Sequence, residues 1–405
     1  MLQIADDTPK QHKFWSTQPV PQSPDDRDKD GPLEPNREPE AMRQTPYNLP
    51  AGFEWVEVDV NKEEELEEVY KLLLENYVED QEAQFRFGYP KELLSWALKP
   101  PGWKMNWHIG VRVSTTRRLV AFISGVPASI SVNKTALPMV EINFLCVLKK
   151  LRSKRMAPVL IKEITRRCNL EGIFQALYTA GVELPGAVSK SRYYHRSINY
   201  PKLVDVGFSA PPQNMTLDER VKQLALSPDL VPGIRPMTSA DVPAVTAGLS
   251  AFFSRFNLHP NFSEDEVEHW FVPKDNVVYS YVAASGVSGD SDEIDCFVSF
   301  YRIPSKVLNH PTHKEINAAY AFYYFYPYQE DAAAKNKRML TRLMNSALVF
   351  AKQTDHDVFN CLALMDNPSV LKELQFGKGD GVLHYYLYNW RCKEMDGREV
   401  ASVLM

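Results

Sequence analysis

The chain has 405 residues, 44% of them hydrophobic, and its 46 Lys and Arg against 51 Asp and Glu give a net charge of -5. That balance excludes a dedicated nucleic-acid binder but leaves room for one local basic cluster, and the length allows two or three domains or one large duplicated one. Five cysteines without metal-like pairs fit free thiols in a reducing compartment. No apolar run has the length of a bilayer span, and residues 1–10 lack the apolar stretch of a signal peptide, so a soluble cytoplasmic protein is expected.

Residues 8–50 are rich in Pro, Asp, Gln and Arg and predict an extended arm, in which Phe14-Trp15 anchors against the body or a ligand. Apolar residues amid acids predict an amphipathic helix over 61–76. Residues 107–113 and 119–130 predict a hairpin, 140–148 a strand, 157–168 a helix and 173–178 another strand. A similar order recurs: helical material over 236–256, strands over 277–282 and 296–301, an aromatic run over 318–326, a helix over 338–352, and strands over 358–364 and 383–390. The repeat suggests duplication, with the likeliest boundary at 208–232 and a surface turn at 285–292.

The most informative segment begins Glu141-Ile142-Asn143-Phe144-Leu145-Cys146-Val147 and continues through a basic stretch to Pro158. A strand ending at Phe144-Leu145 can turn its N–H groups out of a ladder. The turn at Ser153-Lys154-Arg155 and a helix starting near Met156 or Ala157 can present further donors to a pyrophosphate. Lys149, Lys150, Arg152, Lys154 and Arg155 make that mouth basic, and Pro158 fits a first helical turn. The same residues also suit a solvated basic loop before a buried helix. Neither a Walker loop nor a Rossmann glycine fingerprint is present.

Longer motifs decide between these readings. Phe14-Trp15-Ser16-Thr17-Gln18-Pro19, the 141–147 segment, Leu151-Arg152-Ser153-Lys154-Arg155, Tyr178-Thr179-Ala180-Gly181, Phe376-Gly377-Lys378-Gly379-Asp380-Gly381 and Tyr386-Leu387-Tyr388-Asn389-Trp390 occur in this order. In them the chain closely resembles the protein N-myristoyltransferase family from Phe14 onward. The resemblance implies an α+β fold of two related acetyltransferase-like (GNAT-like) halves around a saddle-shaped sheet with surrounding helices. It implies an arm over 1–50 closing over acyl-CoA, an acyl-CoA-binding half over 51–207, and a half over 208–405 that contributes to the peptide groove and supplies the catalytic C-terminus. Two residues depart from the family pattern: Leu148 replaces a histidine and Gln375 a lysine.

Carried over residue by residue, the resemblance implies that Lys13, Phe14 and Trp15 contact myristoyl-CoA, the acyl-donor substrate. Leu145, Cys146 and Val147 line its strand-side site, and Ser153, Lys154, Arg155, Met156 and Ala157 cradle its phosphates. The backbone N–H groups of Phe144 and Leu145 form an oxyanion hole, which stabilises the charge that grows on a thioester carbonyl under attack. Asn143 and Thr179 lie near the acceptor glycine. Tyr77, Val78, Glu79, Asp80, Phe85, Phe87, Gly181, Tyr193 and His195 form the peptide groove, with Asp380 and Gly381 on its C-terminal side. Taken alone, Tyr77, Phe85 and Phe87 equally suit a core, and Asn143 or Thr179 a strand cap.

The attacking amine must be neutral, and a base is needed within reach. His195 is a generic candidate and equally a structural histidine. Val403-Leu404-Met405 is apolar, which suits a terminus docked for stability; the resemblance instead makes the Met405 α-carboxylate the catalytic base. Its reference pKa of about 3.5 lies well below the amine's value of about 8, so direct transfer in water costs about 6 kcal/mol. Low-polarity surroundings narrow that gap. No metal and no covalent acyl-enzyme is required, and Cys146 lies in an apolar strand without a sequence-local base. The expectation is a monomeric acyltransferase acting on proteins with an N-terminal glycine, without nucleic-acid partners or a transmembrane segment. A CoA-dependent acyltransferase of changed chain length and a noncatalytic acyl-CoA or peptide-binding module are the alternatives.

Overall fold

The computed structural model describes residues 13–78, 84–284, 286 and 293–404. Glu79, Asp80, Met405 and most of the 285–292 turn lie outside them. The first part of the chain forms β1 (Phe53–Glu57), α1 (Glu63–Asn76), β2 (Phe85–Phe87), α2 (Lys91–Leu98), β3 (His108–Val113), β4 (Leu119–Val132), β5 (Thr135–Val147), α3 (Met156–Asn169), β6 (Ala176–Ala180) and β7 (Ala187–Ser197). The middle adds α4 (Tyr200–Asp205), α5 (Leu217–Gln223), β8 (Arg235–Pro236), α6 (Val242–Phe253), β9 (Leu258–Pro260), α7 (Glu264–Phe271), β10 (Val278–Ala283) and β11 (Cys296–Arg302). The last part is β12 (Ser305–Val307), β13 (Glu315–Ile316), β14 (Ala318–Phe325), α8 (Ala333–Gln353), β15 (Val358–Leu362) and β16 (Gly377–Tyr388).

These strands make one mixed sheet of 13 strands in the order β1-β3-β4-β5-β6-β16-β7-β15-β14-β11-β10-β8, with β9 beside β4; β13, β12 and β2 form a small second sheet. The arrangement is α+β, as expected. Strand β5, helix α3 and strand β6 form a parallel crossover, and β14, α8 and β15 form a second. In each, the parallel strands share a short ladder, Val140–Ile142 with Ala176–Tyr178 and Ala318–Tyr320 with Val358–Asn360, and pair no further.

The local causes are readable. Glu63, Glu64 and Glu65 place negative charge on the first turn of α1, where the helix dipole favours it, and Leu66, Val69, Leu72 and Leu73 form its buried stripe. Asn133 and Lys134, both at positive φ, close the two-residue turn between β4 and β5.

The decisive irregularity lies in β5. The register pairs Asn143 with Ser124 but Cys146 with Phe122, so β5 carries one residue more than β4 in this interval. Phe144 adopts φ +54° there. The bulge reverses the faces. Before it, Val140 and Ile142 pack on the α3 side of the sheet and Met139 on the α1 side; after it, Phe144 and Cys146 pack on the α1 side and Leu145 and Val147 on the α3 side. A bulky residue at positive φ costs on the order of 1–2 kcal/mol. The fully buried Phe144 ring, 5.3 Å from Tyr89 and 6.1 Å from Tyr77 by centroid, offsets that cost.

Candidate active site

The bulge falls just past the last rung shared by β5 and β6, where backbone groups of β5 leave their partners. The strand runs to Val147, in keeping with the 140–148 expected, so Phe144-Leu145 lies at a bulge within it and not at its end. Burial raises the Tyr77 phenol far above its ordinary range, while the Phe144 backbone N–H acts on it in the opposite direction. The Asn143 carbonyl on the preceding residue accepts from Ser124 Oγ at 3.0 Å, which fixes the peptide plane entering the bulge.

Beyond β5, residues Lys149–Lys154 wind as a 3-10 helix and Arg155 takes a left-handed conformation before α3 begins at Met156. Ser153, Lys154 and Arg155 are exposed, Met156 is buried, and no side chain among the described residues caps the N-terminus of α3. Its first N–H groups thus point outward from a basic rim, with the positive end of the dipole behind them. Arg152 is turned away from this mouth: its guanidinium donates to Asn76 O at 2.6 Å at the end of α1.

On the α3 face of the sheet, next to Leu145, lies a narrow apolar cavity. Ile142, Leu145, Ile161, Ile164, Cys168 and Tyr178 line its body, and Thr165, Asn169 and Gln175 add a polar margin. Trp15 closes one side. Its ring is buried and stacks on Tyr178 at 5.6 Å, so the Phe14-Trp15 pair does anchor the arm to the body. Lys13 is exposed. Cys146 points the other way, with Sγ 3.8 Å from Leu72 O and its thiol pushed up to about 12 by burial. Its side chain therefore lines nothing on the cavity side.

On the α1 face the expected groove residues converge through aromatic contacts. Phe85 meets Phe208, which meets His195, while Phe87 meets Tyr320, which meets Tyr193. His195 Nδ1 lies 2.6 Å from Asn360 Oδ1; burial lowers its pKa against the pull of that bond and of Asp380. Gly379, which the sequence reading left without a role, is held against this pair, since a Cβ there would sit 2.3 Å from His195 Nε2 and 2.8 Å from Tyr193 O. Arg192 donates to Gly379 O at 3.0 Å and so secures the irregular stretch of β16 that carries Asp380 and Gly381. Thr179 stands opposite Tyr385 on β16, and Val78 O accepts from Phe87 N at 3.1 Å. Gly181 follows the end of β6.

A second small cavity lies on the α1 side, beside Glu141. Glu141, Tyr323, Ser402 and Val403 line it together with Ser129 and Glu266. Val403 N donates to Tyr323 Oη at 2.9 Å, and residues Ala401, Ser402, Val403 and Leu404 are buried. Burial raises the Glu141 carboxyl to about 7, although Asn143 donates to it. The Tyr385 hydroxyl is buried without a hydrogen-bond partner among the described residues, and the Glu141 charge helps push its pKa upward. Glu141, Tyr323 and Tyr385 had no assigned role in the sequence reading. An acid within an apolar strand was the signal for the first; the two tyrosines are indistinguishable by pattern from core aromatics.

The departures from the family pattern sit at the margins. Leu148 packs against the cavity-side cluster, and Gln375 donates to Gln223 O at 2.9 Å beside α5. Residues 32–191 match the family model "Myristoyl-CoA:protein N-myristoyltransferase, N-terminal domain", and residues 205–403 match its C-terminal domain. The chain belongs to this family. Within the N-myristoyltransferase family, glycylpeptide N-tetradecanoyltransferase 2 of Danio rerio is 51% identical over 403 residues, covering 99% of this chain and 79% of the relative. Glycylpeptide N-tetradecanoyltransferase 1 of Arabidopsis thaliana is 50% identical, covering 98% and 90%. The crystal structure of the Saccharomyces cerevisiae N-myristoyltransferase with bound myristoyl-CoA superposes with a TM-score of 0.91 at 42% identity, covering 96% of this chain and 94% of that one.

Proposed function

We propose that this N-myristoyltransferase transfers myristate from myristoyl-CoA to the N-terminal glycine amine of proteins by direct attack on the thioester. The observation that carries the reading is the left-handed bulge at Phe144, with the basic N-terminus of α3 beyond it and the apolar cavity beside Leu145. A thioester seated at the bulge would have its phosphates at Ser153, Lys154, Arg155, Met156 and Ala157 and its acyl chain beside Leu145 and Val147. Lys13, Phe14 and Trp15 would close over it, and Cys146 would contribute through its backbone alone.

In this reading the Phe144 and Leu145 N–H groups stabilise the carbonyl oxygen as it gains charge. Asn143 and Thr179 hold the acceptor glycine, and Tyr77, Val78, Phe85, Phe87, Gly181, Tyr193, His195, Asp380 and Gly381 bind the peptide that follows it. Glu79 and Asp80 join them in the proposal. The amine proton passes to the Met405 α-carboxylate and the CoA thiolate leaves. The buried run Ala401–Leu404 supports a base of raised pKa, because it takes the chain out of solvent and beside the buried Glu141 carboxyl.

The donor half is assigned to residues 51–207, the acceptor half to 208–405, and the closing arm to 1–50. We further place the enzyme in the cytoplasm as a monomer, a compartment in keeping with five free, buried cysteines. Among the described residues no helix is long and apolar enough to cross a membrane. Mass spectrometry of a glycine-starting peptide incubated with myristoyl-CoA and shorter acyl-CoAs tests the function. A myristoyl adduct on the terminal glycine is expected. Preferred transfer of a shorter chain, or binding without product, would overturn it.

A further inference from the structure

Glu141 stands on β5 two residues before Asn143, and the two side chains meet: Asn143 Nδ2 donates to Glu141 Oε1 at 3.1 Å. A side-chain amide has one donor end and one acceptor end, so holding the NH2 on Glu141 directs the carbonyl end away from it. Among the described residues, the titratable groups around Glu141 are Glu266 of α7, which lines the same cavity, and the phenols of Tyr323 on β14 and Tyr385 on β16, with Ser402 and Val403 closing the cavity; in the reading above, the Met405 α-carboxylate joins them. All of these are neutral or acidic. The charge of Glu141 raises both phenols, which places the three groups in one field.

We propose that Glu141 is a positioning residue for acyl transfer: as a carboxylate it holds the Asn143 NH2, and thereby turns Asn143 Oδ1 toward the acceptor amine. The inference rests on the reading above, in which Asn143 lies beside the acceptor glycine. An ionised carboxylate accepts only, so it selects one orientation of the amide. A protonated one can donate to Oδ1 instead, which rotates the NH2 toward the amine and sets donor against donor. The carboxyl is raised to about 7 by burial, so this exchange falls near neutrality.

The test is single-turnover transfer by the full chain, loaded with myristoyl-CoA, to a glycine-starting peptide between about pH 5.5 and about pH 8.5. The quantity read is the ratio of wild-type to Glu141→Gln rates, in which ionisation of the peptide amine cancels. The ratio should rise from near unity in acid to roughly tenfold in base, with a midpoint near the Glu141 pKa and myristoyl-CoA affinity unchanged. A ratio that does not change with pH would overturn the proposal. Should Glu141→Gln fail to fold, the side-chain amide resonance of Asn143 in the isotope-labelled wild-type protein replaces the rate ratio. It should titrate with the same midpoint, and a flat response would overturn the proposal equally. Wild-type protein that transfers no myristate would instead refute the acyltransferase reading, while the Asn143 resonance would still decide whether its amide follows Glu141.

Discussion

Trp15 lies parallel to Tyr178 with centroids 5.6 Å apart, and Tyr178 lies parallel to Tyr386 at 5.0 Å. The stack ties the arm to two adjacent strands of the sheet and closes one side of the apolar cavity. Trp15→Ala should lower the unfolding free energy by about 3 kcal/mol or less, since an arm can detach without opening the core. The larger effect is expected on the donor, with myristoyl-CoA bound at least ~10-fold more weakly by calorimetry. Peptide affinity in the saturated complex should hold.

Gly379 has no space for a side chain, and one of the obstructing atoms is a backbone oxygen that cannot rotate away. Gly379→Ala should push β16 off Tyr193 and His195 at a cost of about 1–3 kcal/mol. Steady-state kinetics would show this as a peptide KM raised roughly tenfold or more, with donor binding intact. A variant with wild-type peptide KM would remove Gly379 from the groove.

Cys146 is sequestered against α1, and its thiol titrates far above neutrality. Cys146→Ala should cost about 1 kcal/mol in a urea melt and leave transfer within about twofold of wild type. Loss of turnover in a folded variant would argue for a covalent acyl-enzyme.

Extending the chain past Met405 by two glycines moves the terminal carboxylate away from the segment that Tyr323 secures through Val403. Single-turnover transfer should fall by about 100-fold or more while myristoyl-CoA affinity changes little. Equal rates would return the search for a base to other groups, His195 among them.

His108 and His356 are buried, and burial lowers each pKa to about 4. The unfolded chain binds their protons first, so stability is complete above about pH 6.5 and is lost as pH falls toward about 4. Each contributes about 3 kcal/mol over that window. Urea midpoints measured from neutrality downward should decline steadily, and His356→Gln should flatten the decline. A midpoint constant across the window would contradict the assignment.

Periodicity located α1, α3, α8 and most strands to within a few residues, because each buries one face at its own repeat. It also exposed the duplicated order, later seen as two parallel crossovers. The β5 bulge was not legible, since Phe144 is neither glycine nor asparagine and positive φ is imposed on it by its packing. Residues 208–232 contain α5 rather than a plain linker; its Thr216–Glu219 capping box was a readable signal. The site came from motif resemblance more than from chemistry. Gly379 shows the limit, because its reason is the nearness of His195, far away in sequence.

Strand β16, from the last thirty residues or so of the chain, is hydrogen-bonded on one side to β6 and on the other to β7. Both neighbours come from the first half. A proteolytic cut near residue 208 would thus leave an N-terminal fragment in which β6 loses its partner on one side and β7 loses β16 and β15 on both, with raw backbone edges open to aggregation. The complementary fragment would carry β16 with nothing on either side. Strands from before and after that point are interleaved in one sheet, so the cut would take partners from both pieces.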